Sequence, residues 1–255
     1  MAFYHQSGFE IRCEWGQTGV EVLAPLVDVV IIVDVLSFST AVDVAVSRGA
    51  IIFPYQLKHK AAVKYARAKR ANLVDVTRTN GRWSLSPRSL ATVPPGTRLV
   101  LPSANGATIS LLSGKVLTLT GCLRNAKAVA AAAQMLGKQI LVIAAGERWP
   151  DGTLRPAVED WIAAGAIMSH MKGTFSPEAE SAKATFSNAQ RSLADDLQRC
   201  ASGRELIERG FGDDIPYAAD LDISSVAPVL VDDAYTRFEA GGLVATSKGK
   251  RPVCT

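Results

Sequence analysis

The stretch Val29-Val30-Ile31-Ile32-Val33-Asp34-Val35-Leu36-Ser37-Phe38-Ser39-Thr40 decides the fold. Residues 29–35 are a Val/Ile run interrupted only by an aspartate near its end. A strand with one wet face alternates apolar and polar side chains, whereas an unbroken β-branched run marks a strand covered on both faces. Residues 39–48 then take helical spacing and stop at Gly49, a common helix end. The same unit recurs outward from this point. Residues 50–54, 73–76, 98–101, 116–120 and 139–145 read as strands, and 58–70, 107–112, 125–136 and 156–171 as helices. Such alternation predicts a three-layer α/β/α sandwich on a mainly parallel sheet. Residues 176–210 turn helical behind the cap Ser176-Pro177-Glu178, and residues 226–231 read as a last strand closing the sheet. A long polar loop, 77–96, is of a length that often serves function. With no repeat or linker, residues 1–255 form one domain, and about 245–255 a frayed tail.

Composition narrows the function. At 255 residues, 48% of them apolar, the chain can bury a large core. Its net charge of +4 is spread along the sequence, which suits small anionic substrates and gives no argument for nucleic acid. The basic residues His59, Lys60, Lys64, Arg67, Lys69 and Arg70 read as the solvated face of a helix. No apolar run approaches a membrane span, and the N-terminus lacks a signal peptide's character, so a cytoplasmic protein is expected. The cysteines at 13, 122, 200 and 254 lack metal-site spacing, and the only histidines are at 5, 59 and 170. Any metal would be a hard cation on oxygen ligands, with Mg2+ the first expectation.

Ligands of open α/β sheets bind beyond the carboxyl ends of the strands, which selects four places. The first is Asp34 with the hydroxyls of Ser39 and Thr40; the competing reading is a helix cap. The second is Ser103-Ala104-Asn105-Gly106, where amides opening a helix could hold phosphate, or an ordinary Asn-Gly turn. The third, Cys122-Leu123-Arg124-Asn125, offers a cation and an amide side chain, with Cys122 packed rather than reactive. The fourth runs from Gly146 through Glu147, Arg148, Asp151 and Arg155 to Pro156, a good first helix residue, and on to Glu159 and Asp160. Carboxylates and arginines gathered where a strand hands over to a helix suit a metal-dependent site for an anionic ester. The alternative for Glu159 and Asp160 is simple complementation of a helix dipole.

At these places the chain resembles the 2-phosphosulfolactate phosphatase family of the coenzyme M pathway. The matching motifs are Asp34-Val35-Leu36-Ser37-Phe38-Ser39-Thr40, Ser103-Ala104-Asn105-Gly106-Ala107, Gly121 to Ala126, and Ala145-Gly146 with Glu159-Asp160 through Ala164-Gly165. Ser202-Gly203-Arg204-Glu205-Leu206, Gly210-Phe211 and Asp213-Asp214-Ile215 match its closing motif. The chain departs from the family where an arginine is replaced by Ser37. A carboxylate-bearing loop is also reduced to Asp75-Val76 and Gly81 to Pro87, with Arg82, Arg148, Arg155 and Glu147 as candidate compensation. The resemblance implies Mg2+-dependent hydrolysis of 2-phosphosulfolactate on a three-layer fold. In that reading Asp34, Glu159 and Asp160 hold the metal and activate water, unless Asp34 is a covalent nucleophile. Ser39, Thr40, Ser103, Asn105, Gly106 and Asn125 bind the substrate with Glu147, and Arg148 and Arg155 grip its second anion. The alternatives are a same-fold phosphatase for another phosphorylated hydroxy acid and a non-catalytic small-anion binder. A homodimer is the expected assembly.

Overall fold

In a computed structural model, residues 2–56, 59–75, 78 and 83–240 are described. Arg82, the segment Thr79-Asn80-Gly81, Cys254 and the expected tail lie outside them.

The first half of the chain lays down β1 (Ile11–Trp15), α1 (Gly16–Leu23), β2 (Val29–Val33), α2 (Phe38–Ser47), β3 (Ile51–Tyr55), α3 (His59–Ala68) and β4 (Asn72–Leu73). Then come α4 (Pro87–Leu90), β5 (Arg98–Pro102), α5 (Gly106–Leu112), β6 (Leu117–Gly121), α6 (Ala126–Leu136) and β7 (Ile140–Ala144). The small ribbon β8 (Glu147–Arg148) and β9 (Leu154–Arg155) precedes α7 (Val158–Ser169). Helices α8 (Pro177–Ala189), α9 (Leu193–Arg199), α10 (Ala201–Glu208) and α11 (Asp214–Ala219) lead to the hairpin of β10 (Pro228–Val231) and β11 (Ala234–Arg237).

The β2 run is buried along its whole length, and its two faces serve different layers. Val29, Ile31 and Val33 pack with residues of α6, α7 and α8, while Val30 and Ile32 pack with Val20 and Leu23 of α1 and Ile109 of α5. That period of two across a covered sheet is the three-layer sandwich expected. Ser176 caps α8, accepting the Ala179 N–H at 3.2 Å, as its position before Pro177 predicts. At the α7–α8 crossing, a Cβ on Gly165 would overlap the Ala182 carbonyl, so only glycine permits this close approach.

The sheet has nine strands in the order β1-β7-β2-β6-β10-β11-β3-β5-β4. Pairs within β1-β7-β2-β6 and within β3-β5-β4 are parallel. The last strand of the sequence reading does not close an edge. It forms half of a hairpin inserted between the two parallel blocks, antiparallel to β6 on one side, while β11 is antiparallel to β3 on the other. Its turn, Asp232-Asp233, has both residues at positive φ, as a two-residue hairpin of this twist requires. Three antiparallel pairings leave the two blocks formally opposed. The loops that follow β2 and β5 nevertheless meet, joined by the bond from the Gly106 N–H to Asp34.

The edge strand β1 escaped the pattern because Arg12 and Glu14 interrupt its apolar residues. Arg12 is nevertheless buried, donating to the carbonyls of Phe9 and His5 and to Gln139 Oε1 at 2.7 Å. Among the described residues no helix is long and apolar enough to cross a membrane.

Candidate active site

The loops leaving β2, β5 and β7 meet in one cleft of about 220 Å³, whose lining includes Asp34, Ser37, Arg78, Ser103, Asn105, Glu147, Ser202 and Arg209. Asp34 sits directly beyond the buried strand and is 6% exposed. One carboxylate oxygen accepts the Phe38 N–H that opens α2, at 3.3 Å; the other accepts the Gly106 N–H that opens α5, at 2.7 Å. The cap reading is thus partly right, but this carboxylate caps two helices and still lines the cleft. The positive ends of both helices favour its charge. A Cβ at position 106 would overlap the Phe38 ring and stand 2.6 Å from Asp34 Oδ2, so the close approach requires glycine. Gly106→Ala is expected to break this contact and cost about 1–3 kcal/mol by overpacking. Denaturant melts check the stability loss, and phosphate-release assays on the folded fraction check an accompanying loss of turnover.

Glu147 lies across the cleft and accepts a 2.8 Å hydrogen bond from Asn105 Nδ2. Burial is the main force pushing its carboxyl up, to about 7, with the Asp34 charge adding to it and the Asn105 bond opposing. Burial likewise raises Asp34, to about 6, against the two amide bonds that favour its charged form. Two carboxylates that repel each other in a partly dry cleft need either protons or a cation. Among the described residues no three His, Cys, Asp or Glu side chains are grouped so as to enclose a metal. Magnesium seldom requires that, since it commonly binds through one or two carboxylates, water and substrate phosphate. Asp34 and Glu147 fit this looser requirement.

Glu159 and Asp160 open α7 and are buried behind the cleft rather than lining it. Asp160 accepts the N–H groups of Val35 and Gly146, each at 2.8 Å, and so staples the exits of β2 and β7 together. Burial, followed by the charges of Asp34 and Glu159, drives its carboxyl well above the ordinary range. Glu159 reaches the Cys200 thiol; burial, then this carboxylate, pushes that thiol up to about 12. The Glu159 charge also helps raise the Asp34 carboxyl.

Several expected substrate contacts are spent inside the fold. Ser39 and Thr40 have no exposure: Ser39 Oγ pairs with Thr120 Oγ1 at 2.7 Å, and Thr40 Oγ1 donates to the Val35 carbonyl at 2.8 Å. Their positions on α2 turn them toward the sheet, away from the cleft. The Gly106 amide is taken by Asp34, and the Asn105 backbone N–H donates to Ser103 Oγ at 3.3 Å. Asn125 is fully buried and its Oδ1 accepts the Cys122 N–H at 2.9 Å. Its neighbour Arg124 is no cleft cation, because its Nε pairs with buried Asp43 at 3.1 Å. Cys122 is packed, as expected, with burial lifting its thiol to about 12.

The arginines also differ from expectation. Arg148 is exposed and donates to the Gly152 carbonyl at 2.9 Å and to Gln17 Oε1 at 3.1 Å, lining an adjoining depression beside Trp15 that shares Asn105 and Glu147 with the cleft. Arg155 stops at the cleft border, donating to Ser202 Oγ at 3.4 Å with its guanidinium 5.9 Å from the Trp149 ring. The cleft's buried cation is instead Arg78, from the long polar loop. It donates to Ser37 Oγ at 3.2 Å and pairs with Asp214 at 3.3 Å. A guanidinium therefore reaches the corner at Ser37 from another segment. The length of that loop was the only sign of it in the sequence.

The family described as 2-phosphosulpholactate phosphatase matches residues 21–233. A 2-phosphosulfolactate phosphatase of Methanothermobacter thermautotrophicus is 34% identical over 209 residues, which cover 79% of this chain and 86% of the relative. A probable 2-phosphosulfolactate phosphatase of Pseudothermotoga lettingae is 24% identical over 82% of this chain and 92% of its own. Another so described, from Gloeobacter violaceus, is 29% identical over 52% of this chain and 55% of its own.

Proposed function

Because the chain belongs to the 2-phosphosulpholactate phosphatase family, whose members are hydrolases of phosphoric monoesters, we propose that it hydrolyses 2-phosphosulfolactate, or a closely related phosphorylated hydroxy acid, in this cleft with Mg2+. The observation that carries the reading is the meeting of Asp34, Asn105 and Glu147 from three different strand ends in one cleft.

Asp34 and Glu147 would hold the ion, which when bound neutralises charge on the phosphoryl oxygens and acidifies water. Asp34 is fixed by two amides and supplies a stationary negative end to the cleft. In the cation-free protein the Glu147 carboxyl, near 7, is balanced between its two protonation states at neutral pH, and a bound cation would hold it in the charged form. Asn105 orients Glu147 through the bond to Oε2. The hydroxyls of Ser103 and Ser202 face the same space and can donate to phosphoryl oxygens.

The test is phosphate release from 2-phosphosulfolactate by the purified protein, with added magnesium or with chelator. Release that requires magnesium supports the reading. A protein that binds the ester without turning it over would instead be a small-anion binder.

The raised carboxyls give this activity a pH signature. Asp34 and Glu147 titrate above ordinary carboxylates, so their charged forms are lost as pH falls through about 7 and about 6. Because the folded values are raised, the native state binds more protons than the unfolded one. In the cation-free protein the charged pair therefore imposes a stability penalty, absent at low pH and full above about pH 7. Magnesium is expected to raise the melting temperature at about pH 8 and to have little effect at about pH 5. Thermal melts at both pH values check this, and kcat/KM is expected to fall over the same range.

A further inference from the structure

We infer that Arg78 binds the substrate's second, non-reacting oxyanion and is the main determinant of preference for a phosphorylated acid over a simple phosphate ester. The inference rests on the hydrolytic reading above and assigns a second subsite of the same cleft. Asp34 and Glu147 form its acidic part; Arg78, near enough to Asp34 for their charges to interact, lies among Ser37, Asp214 and Phe211. A phosphomonoester with an additional carboxylate or sulfonate needs a cation for that group, away from the carboxylates that serve its phosphoryl end.

Arg78 has the form of a prebuilt anion receptor. It is 9% exposed, yet it lines the cleft. Asp214 holds one guanidinium nitrogen at 3.3 Å and Ser37 Oγ accepts from another at 3.2 Å. The Phe211 ring lies 5.1 Å from the guanidinium carbon and restrains its plane. Asp214 is fixed in turn by Ser86 Oγ at 2.5 Å, so Asp214 is a positioning residue. A guanidinium has five N–H donors, and among the described residues these contacts use two, leaving others for a bidentate oxyanion. Among the described residues lining the cleft, the other cation is Arg209, which stands at the exposed rim paired with Glu205. Rim charges steer ligands, whereas a fixed, desolvated arginine discriminates between them.

The experiment compares Arg78→Lys, which keeps the charge but loses the fork, with the unaltered protein on three esters. These are 2-phosphosulfolactate, 2-phospholactate and para-nitrophenyl phosphate. On the sulfonated acid kcat/KM is expected to fall roughly ten- to a thousand-fold. On para-nitrophenyl phosphate, which has no second anion, it should change by less than about threefold. Loss on 2-phospholactate as well would identify the carboxylate as the bound group; loss confined to the sulfonated ester would identify the sulfonate. Equal losses on all three esters would place Arg78 on the phosphoryl group and overturn the inference, as would no loss on any. Asp214→Asn is the second variant, for use if the lysine variant does not fold. It should raise KM for the acids selectively, leaving kcat and the generic ester nearly unchanged. Calorimetric titration with sulfolactate needs no turnover. If the unaltered protein hydrolyses none of the esters, the hydrolytic reading fails, while weaker sulfolactate binding by the variant still supports the role of Arg78. Sulfolactate binding that is equal in both proteins, or absent from the unaltered one, overturns it.

Discussion

Asp34→Asn is expected to lower kcat by roughly 10²–10⁴-fold while leaving the protein folded. The substitution keeps the size and one acceptor oxygen but removes the charge beyond β2 on which the cleft's acidic end depends. Folding should tolerate it because the native structure already penalises that charge: burial lifts the carboxyl to about 6. A neutral amide avoids the desolvation cost, offsetting the loss of one charge-assisted bond from the Phe38 or Gly106 amide. Phosphate release by the folded protein, with circular dichroism and a thermal melt as controls, checks both halves. Normal turnover would make Asp34 a helix cap and nothing more.

Arg124→Ala is expected to do the reverse, destabilising the fold and sparing the chemistry. Arg124 Nε pairs with fully buried Asp43 at 3.1 Å, and its Nη1 donates to the Tyr217 carbonyl at 2.8 Å and to Asp220 at 3.2 Å. Ser224 Oγ completes the cluster by donating to Asp43 at 2.6 Å. These bonds tie α2 to the turn after β6 and to the segment that carries the chain back to the inserted hairpin. Removing one partner of a buried pair leaves the other uncompensated and typically costs about 3–5 kcal/mol. At about 2–4 °C per kcal/mol for a chain of this size, the melting temperature should fall by about 10 °C. Turnover per folded molecule should not change. A folded variant with turnover reduced a hundredfold would return Arg124 and Asn125 to the active site.

Part of the site is legible along the chain and part is not. Asp34 was legible because a carboxylate ending a doubly buried strand needs a partner, and strand ends in such folds face ligands. Glu147 drew attention through the density of charge in the loop after β7, as a substrate contact rather than an ion ligand. Ser39 and Thr40 misled because helical phase decides which hydroxyl faces the cleft, and a cap motif looks alike in either phase. The sheet order was hidden for a different reason. Insertion of β10 and β11 between two blocks depends on contacts such as Val229 with Leu119 and Tyr235 with Ile52, far apart in sequence. Arg78 was missed because its role exists only through Ser37 and Asp214, 41 and 136 residues away. Arg148 and Arg155 drew attention through their density beside Glu147, yet density along the chain sets neither direction nor depth.

The placement expected of the substrate has its phosphoryl group beside Asp34 and Glu147 and its second anion on Arg78. Its most direct test is a crystal structure with a non-hydrolysable phosphonate analogue of 2-phosphosulfolactate and magnesium. The phosphonate is expected beside Asp34 and Glu147, with the carboxylate or sulfonate on Arg78. An analogue seated instead in the depression beside Trp15 and Arg148, or turned with its phosphonate on Arg78, would contradict it.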